Sequence, residues 1–297
     1  MDKQNNQKHI KAFEELTITD DFMFGAVFSD MELCKEFLEK LLNIKIRKIT
    51  VPKRQKTMKY TYISKGIRLD IYVEDDNNTV YNIEMQTTDK GNLSLRIRYY
   101  HSMIDLNIID KGEDFSHLKK SFVIFICTFD PFGRDRYVYT FENRCKEEPD
   151  IFLNDNAFTI ILNCNGHKGE ISEEMKGLLH YMAGQPPQGR LAEDIAEGVE
   201  KVHKNEKWRD DYMTLNLKIM EERQEARQEG RQEGQKIGDL SRVISTIRAL
   251  CSVLPSDKLA ASLKISNKEY NAIIEMISSN PEWTDEEIAE DILGYSE

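Results

Sequence analysis

Gly66-Ile-Arg-Leu-Asp-Ile-Tyr-Val-Glu-Asp-Asp-Asn-Asn-Thr-Val-Tyr-Asn-Ile-Glu-Met-Gln86 is the stretch whose reading decides the fold. It alternates as a strand, crosses a polar turn and alternates again. Side chains point to opposite faces of a strand with period two. Ile67, Leu69, Ile71 and Val73 therefore make one row, and Arg68, Asp70 and Tyr72 the other. In the second strand Tyr81, Ile83 and Met85 oppose Val80, Asn82, Glu84 and Gln86. Asp75-Asp76-Asn77-Asn78 is turn chemistry, because Asp and Asn tolerate left-handed backbone and bond their own main chain. A turn there brings Asp70 opposite residues 83 to 85. A slip by one residue would flip the apolar row, so the alternation favours Glu84 as the neighbour of Asp70.

Cross-strand neighbours have Cβ atoms roughly 4.5–5.5 Å apart. Two carboxylates that close repel unless a cation or a proton lies between them. Mg²⁺ accepts one or two protein carboxylates and completes its shell with water and phosphate oxygens. Gln86 points to the same side and could hold an attacking water. The plain alternative is a solvent-exposed hairpin face that is simply polar.

The charge distribution bears on the choice. The formal net charge is −11 over 297 residues, which on its face disfavours DNA. Yet Lys45 to Leu69 contains no Asp or Glu and carries Lys45, Arg47, Lys48, Lys53, Arg54, Lys56, Lys59, Lys65 and Arg68. Local cationic surface engages phosphate whatever the total charge. Arg96 and Arg98 on the next helix extend that side. The competing reading of the run is a solvated basic loop and strand edge.

The same residues carry a resemblance. Asp70, a turn and then Glu84-Met-Gln86 resembles the PD-(D/E)XK nuclease motif, with Gln86 in the usual Lys position. More closely, the chain resembles the Rpn family of recombination-promoting nucleases, the PD-(D/E)XK family transposases. Asp21-Phe-Met-Phe-Gly-Ala-Val-Phe28 is similar to that family's opening helix. Gly66-Ile-Arg-Leu-Asp-Ile and Asn82-Ile-Glu-Met-Gln are similar to its active-site strands. Arg96-Ile-Arg-Tyr-Tyr-His resembles the following helix, and Phe122-Val-Ile-Phe-Ile-Cys the next strand.

The resemblance implies a metal-dependent endonuclease acting on DNA phosphodiesters in a recombination or mobile-element setting. It implies Asp70, Glu84 and Gln86 as catalytic residues, and Asp70, Glu84 and Asp21 as ligands to Mg²⁺ or another divalent cation. Lys53, Arg54, Lys56, Lys59, Lys65, Arg68, Arg96 and Arg98 are the expected DNA contacts. The implied fold is α/β, a restriction-endonuclease-like mixed-sheet core (αβββαβ) with a C-terminal helical extension. Leu69 stands in place of the nominal Pro. Gln86 carries no charge, so orienting water, with the metal supplying charge, is its consistent role. Missing that Lys, the chain could instead be a non-catalytic DNA-binding or assembly protein that kept the fold. A double-strand break would require two such sites, which is compatible with a homodimer.

Residues 12–213 are expected to form the nuclease-like domain, with a helix over 20–42, another over about 92–109, and more at 172–183, 190–203 and 205–222. Strands are expected at 121–128, 137–141 and 158–163. Residues 214–238 read as a charged helical linker, with Arg223, Arg227 and Arg231 on one side and Glu225, Glu229 and Glu233 nearly opposite. Gly230, Gly234 and Gly238 should weaken its helix. Residues 239–297 read as a small helical module, either a packing or dimerisation unit or a helix-turn-helix around Leu263 to Glu269. No apolar run approaches the ~18–20 residues a membrane span requires. The first residues contain no apolar secretory segment, and five cysteines without a Cys-X-X-Cys spacing read as reduced thiols. Both point to a cytoplasmic chain.

Overall fold

The computed structural model describes residues 11–50, 53–58 and 67–295; the side chains of 53–58 and 67–69 lie outside that description. The chain divides into two units, Met1–Met213 and Thr214–Glu297.

The first unit is built on a six-stranded mixed sheet among the described residues. Its elements run α1 (Asp21–Val27), α2 (Met31–Leu42), β1 (Lys53–Met58), β2 (Ile67–Glu74), β3 (Val80–Gln86), α3 (Leu93–Ile108), β4 (Ser121–Cys127), β5 (Val138–Phe141), β6 (Ala157–Asn163), α4 (Glu173–Met182) and α5 (Arg190–His203). The strands lie in the order β1-β2-β3-β4-β6-β5. β1, β2 and β3 pair antiparallel, β3, β4 and β6 pair parallel, and β5 closes the far edge antiparallel to β6. The helix, three strands, helix, strand order of the αβββαβ core is therefore present, with helices appended.

Parallel pairing of β3 with β4 requires a crossover, and α3 supplies it. Its Ile97, Tyr100, Met103 and Ile104 pack onto Tyr72, Val80, Val123, Phe125 and Ile161. On the opposite face Tyr81, Phe122 and Phe158 stack across β3, β4 and β6, with centroids 5.5 and 5.1 Å apart. α1 packs against β2 and α5. Both rows of β3 are consequently covered.

The single helix expected over 20–42 is two. Asp30 accepts from the N–H groups of Glu32 and Leu33 at 2.9 and 3.2 Å and so caps α2. The Ser29 hydroxyl donates to the Gly25 carbonyl at 2.6 Å beside the break. Apolar periodicity runs through this break because residues on both helices are buried in the core.

The β2–β3 turn is pinned by Asp75, which is buried. Its Oδ1 accepts from the N–H of Asn77 at 2.9 Å and of Thr79 at 2.8 Å, and its Oδ2 from the Tyr81 hydroxyl at 2.8 Å. Asn78 takes the left-handed conformation at φ 60° that the turn requires. Burial first, and then Asp75, push the Tyr81 phenol above its usual range.

α6 (Glu206–Leu250) is one helix of 45 residues, joining the helix expected at 205–222 and the helical linker expected at 214–238 without a break and running on to Leu250. Residues 221–236 are helical and exposed throughout. Among the described residues no ion pair joins the Arg row to the Glu row, as their opposite placement demands.

In the second unit, α7 (Ser256–Leu263), α8 (Asn267–Ser279) and α9 (Asp285–Leu293) follow α6. Ile244, Ile247, Leu259, Tyr270, Ile273 and Ile288 form their core. Ser266 with Glu269 and Thr284 with Glu287 are reciprocal capping boxes at the starts of α8 and α9. The α7–α8 turn is tight, with Lys264 left-handed at φ 57°. Residues 256–295 carry nine acidic side chains against three lysines.

Asp75→Ala should strand two buried donors, the Thr79 N–H and the Tyr81 hydroxyl, each costing about 1–3 kcal/mol. The expected fall in Tm is several degrees, at about 2–4 °C per kcal/mol for a domain this size. An unchanged thermal melt would show that the turn is held by something else.

Candidate active site

The β2–β3 ladder runs from Glu74↔Val80 to Ile71↔Ile83. Continued by one step, that register sets Asp70 opposite Glu84. Here side chains take over from the backbone. The Asp70 N–H donates to Glu84 Oε1 at 3.0 Å, and the Met85 N–H donates to Asp70 Oδ2 at 3.1 Å. Each carboxylate is thus held by the main chain of the opposite strand.

Glu84 is only 2% exposed, because α3 closes over this face. A solvent-exposed polar hairpin is therefore excluded. Burial first, and the Asp70 charge second, hold the Glu84 carboxyl well above the usual carboxylate range. The Asp70 N–H, the Asn82 amide and Arg96 act in the opposite sense. The Asn82 side chain is fully buried beside Glu84, and among the described residues neither of its amide atoms makes a hydrogen bond of ordinary geometry.

Gln86 ends β3 in register with Cys127 at the end of β4. The site thus lies at the carboxyl ends of parallel strands, where open α/β sheets bind ligands. The Gln86 Nε2 donates to the Thr88 carbonyl at 2.8 Å, and its Oε1 accepts from Arg96 Nη1. Arginine has only donors, so the amide atom facing it has to be the oxygen. Arg96 Nη2 donates to the Tyr100 hydroxyl at 3.1 Å and lies 3.9 Å from Glu84 Oε2. The guanidinium sits 5.5 and 5.4 Å from the ring centroids of Tyr100 and Phe125.

The expected site residues are thus distributed unevenly. Asp70, Glu84 and Gln86 come together on one covered face. Asp21 is the exposed first residue of α1, and among the described residues no three His, Cys, Asp or Glu side chains assemble as a metal-holding group. Lys53, Arg54 and Lys56 lie on β1 and Arg68 on β2, where the backbone pairs Lys53 with Tyr72, Arg54 with Ile71 and Lys56 with Leu69. Lys59 and Lys65 lie outside the described residues. Arg98 is exposed, whereas Arg96 turns inward. Two positions on a helix differ by about 200°, so these two arginines do not extend one surface.

Sequence reading did not single out Asn82 or Tyr100. Asn82 shares the row of Glu84 two residues earlier, and Tyr100 follows Arg96 by four residues on the same helix face; both signals were present. The carboxyl oxygens of half-buried Asp70 and buried Glu84, with the Asn82 amide beside Glu84, are the donor type that a hard divalent cation takes.

A mixed sheet carrying an acid pair at the carboxyl ends of its parallel strands, flanked by α1 and α3, defines a nuclease-type α/β domain. Residues 18–182, more than half of the chain, match the family model of the PD-(D/E)XK nuclease family transposases. The chain belongs to this family. No curated protein and no solved structure matches it.

The pH dependence of stability follows from Glu84. Folding raises its pKa, so its contribution is full below the ordinary Glu range and is lost as pH rises through the folded value. Glu84→Gln keeps an oxygen for the Asp70 N–H and removes the buried charge. In metal-free buffer its Tm should exceed that of the wild type at pH 8, with the gap closing toward pH 4. A variant less stable at pH 8 than at pH 4, relative to the wild type, would contradict this.

Proposed function

We propose that this protein is a divalent-metal-dependent DNA endonuclease that serves recombination or a mobile-element process. The observation that carries the reading is the Asp70–Glu84 pair, two adjacent carboxylates clamped by main-chain donors under α3 within the family-matched span. Such an arrangement costs stability and is retained where a cation is to be received.

Asp70 and Glu84 would hold the cation, which when bound supplies Lewis-acid charge at the scissile phosphate. Gln86 retains one amide hydrogen and one oxygen lone pair beyond its contacts with Thr88 and Arg96, enough to hold a water. That water attacks phosphorus in line with the leaving ester oxygen. A new oxygen–phosphorus bond forms as the ester bond breaks, leaving a phosphate monoester and a free hydroxyl. Gln86 has no basic group and orients the water without taking its proton; the proton is lost to solvent, and solvent protonates the leaving oxygen. The basic edge strand β1, beside β2, is the proposed approach for the DNA backbone. Localisation in the cytoplasm and action as a homodimer belong to the same proposal.

One observation favours a second reading. The Gln86 amide is engaged at both ends, as in a site kept for structure, which suits a DNA-binding protein without catalysis.

Nicking of supercoiled plasmid separates the two. The wild type should nick with Mg²⁺ and not with EDTA. Asp70→Ala should lose more than the roughly 10–100-fold that removal of an outer-shell partner costs. Equal nicking by Asp70→Ala, or nicking in EDTA, would refute the assignment, and no nicking by the wild type would favour binding alone.

A further inference from the structure

We infer that Arg96 is the fixed cation of this active site, a positioning residue that works through Gln86 and Glu84 and is not an anchor for the DNA backbone. The inference rests on the endonuclease reading above.

Three observations carry it. Gln86, which ends β3 at the site, is uncharged. A guanidinium from the next element, α3, reaches it and donates to its Oε1. The same guanidinium lies 3.9 Å from Glu84 Oε2, on a carboxylate that is otherwise buried beside another acid. Its location is built: Tyr100, one helical turn on, accepts a hydrogen bond from it, and the rings of Tyr100 and Phe125 lie beneath it. Arginine keeps its charge at any working pH. Partial burial, at 30% side-chain exposure, strengthens that charge relative to one in water. Arg98 shows the contrast, being on the same helix, exposed and clear of the acids.

Two consequences follow. Arg96 sets the direction of the Gln86 amide, with oxygen toward the helix and nitrogen toward Thr88, and so fixes which hydrogen and lone pair remain for a water. It also places positive charge where negative charge accumulates as phosphorus is attacked, a contribution largest when the charge is fixed beforehand. A cation at residue 86 itself would occupy the space that the Arg96 guanidinium already reaches. A lysine there should therefore be harmful with Arg96 in place and helpful without it.

The test is a cycle of Arg96→Ala, Gln86→Lys and the double variant, with Arg96→Lys as the conservative control. Plasmid nicking and binding of a labelled duplex are measured under single-turnover conditions, together with thermal melts. Arg96→Ala should lower the rate at saturating DNA by more than about tenfold while changing Kd less than about threefold. Gln86→Lys alone should lower both rate and Tm. Added to Arg96→Ala, it should raise both, recovering about tenfold in rate. Arg96→Lys, with charge but no fork, should fall between wild type and Arg96→Ala.

If Gln86→Lys has the same effect in both backgrounds, the inference is overturned. If Arg96→Ala weakens binding and leaves the saturated rate unchanged, Arg96 is a DNA anchor and the inference is again wrong. Absence of nicking by the wild type would overturn the endonuclease reading instead; the sign of the Tm change on adding Gln86→Lys would then decide alone whether Arg96 is the cation balancing Glu84.

Discussion

The first unit depends on an exchange at one step of the β2–β3 ladder. Asp70 and Glu84 stand opposite each other, and each accepts a main-chain hydrogen from the other's strand. The exchange is possible only in one register, since a slip of either strand by one residue would turn its acid to the other face. Asp75 maintains that register from the turn, with two main-chain donors and one phenol on a single carboxylate. Beyond Ile71 and Ile83 the acids do for the strands what carbonyls do elsewhere. Their own orientation is thereby set before any ligand arrives.

The same exchange creates an electrostatic problem. α3 is required to connect parallel strands, and in packing down it removes Glu84 from water. The carboxyl responds by holding its proton more tightly, and Arg96 answers from the helix at 3.9 Å. Asn82 adds to the strain, since among the described residues its buried amide makes no hydrogen bond of ordinary geometry. Local rules for stable packing are broken at Asp70, Glu84 and Asn82 together, and clustering of such violations is the signature of a site selected for function. Electrostatic preorganisation of this kind is also the largest single contribution most active sites make.

Much of this was legible before the structure. Period-two alternation placed Asp70, Glu84 and Gln86 on one face, because strand geometry leaves only two faces to choose between. The Asp/Asn run placed the turn, and the Ser/Glu and Thr/Glu spacings placed the caps of α8 and α9. The burial of the acid face was not legible, because it depends on where α3 docks and on no residue of the hairpin. Arg96 and Arg98 looked equivalent in a basic row. Only the helix phase set by Ile97, Tyr100 and Ile104 against the sheet turns one inward and leaves the other in solvent. The continuity of α6 was not legible, because three glycines at about 1 kcal/mol each argue against it, and the strong helix formers Ala, Arg, Gln and Glu between them outweigh that penalty.

The account stands on the claim that the Asp70–Glu84 pair is made to receive a divalent cation. The direct measurement is the Tm of the wild type and of an Asp70→Asn/Glu84→Gln double variant, with and without millimolar Mg²⁺, at pH 8. A ligand that binds only the folded state stabilises it by about 2.7 kcal/mol at 100 times its Kd. The account predicts a Mg²⁺-dependent rise in Tm for the wild type and none for the double variant. An equal rise in both, or a rise in neither, would contradict it.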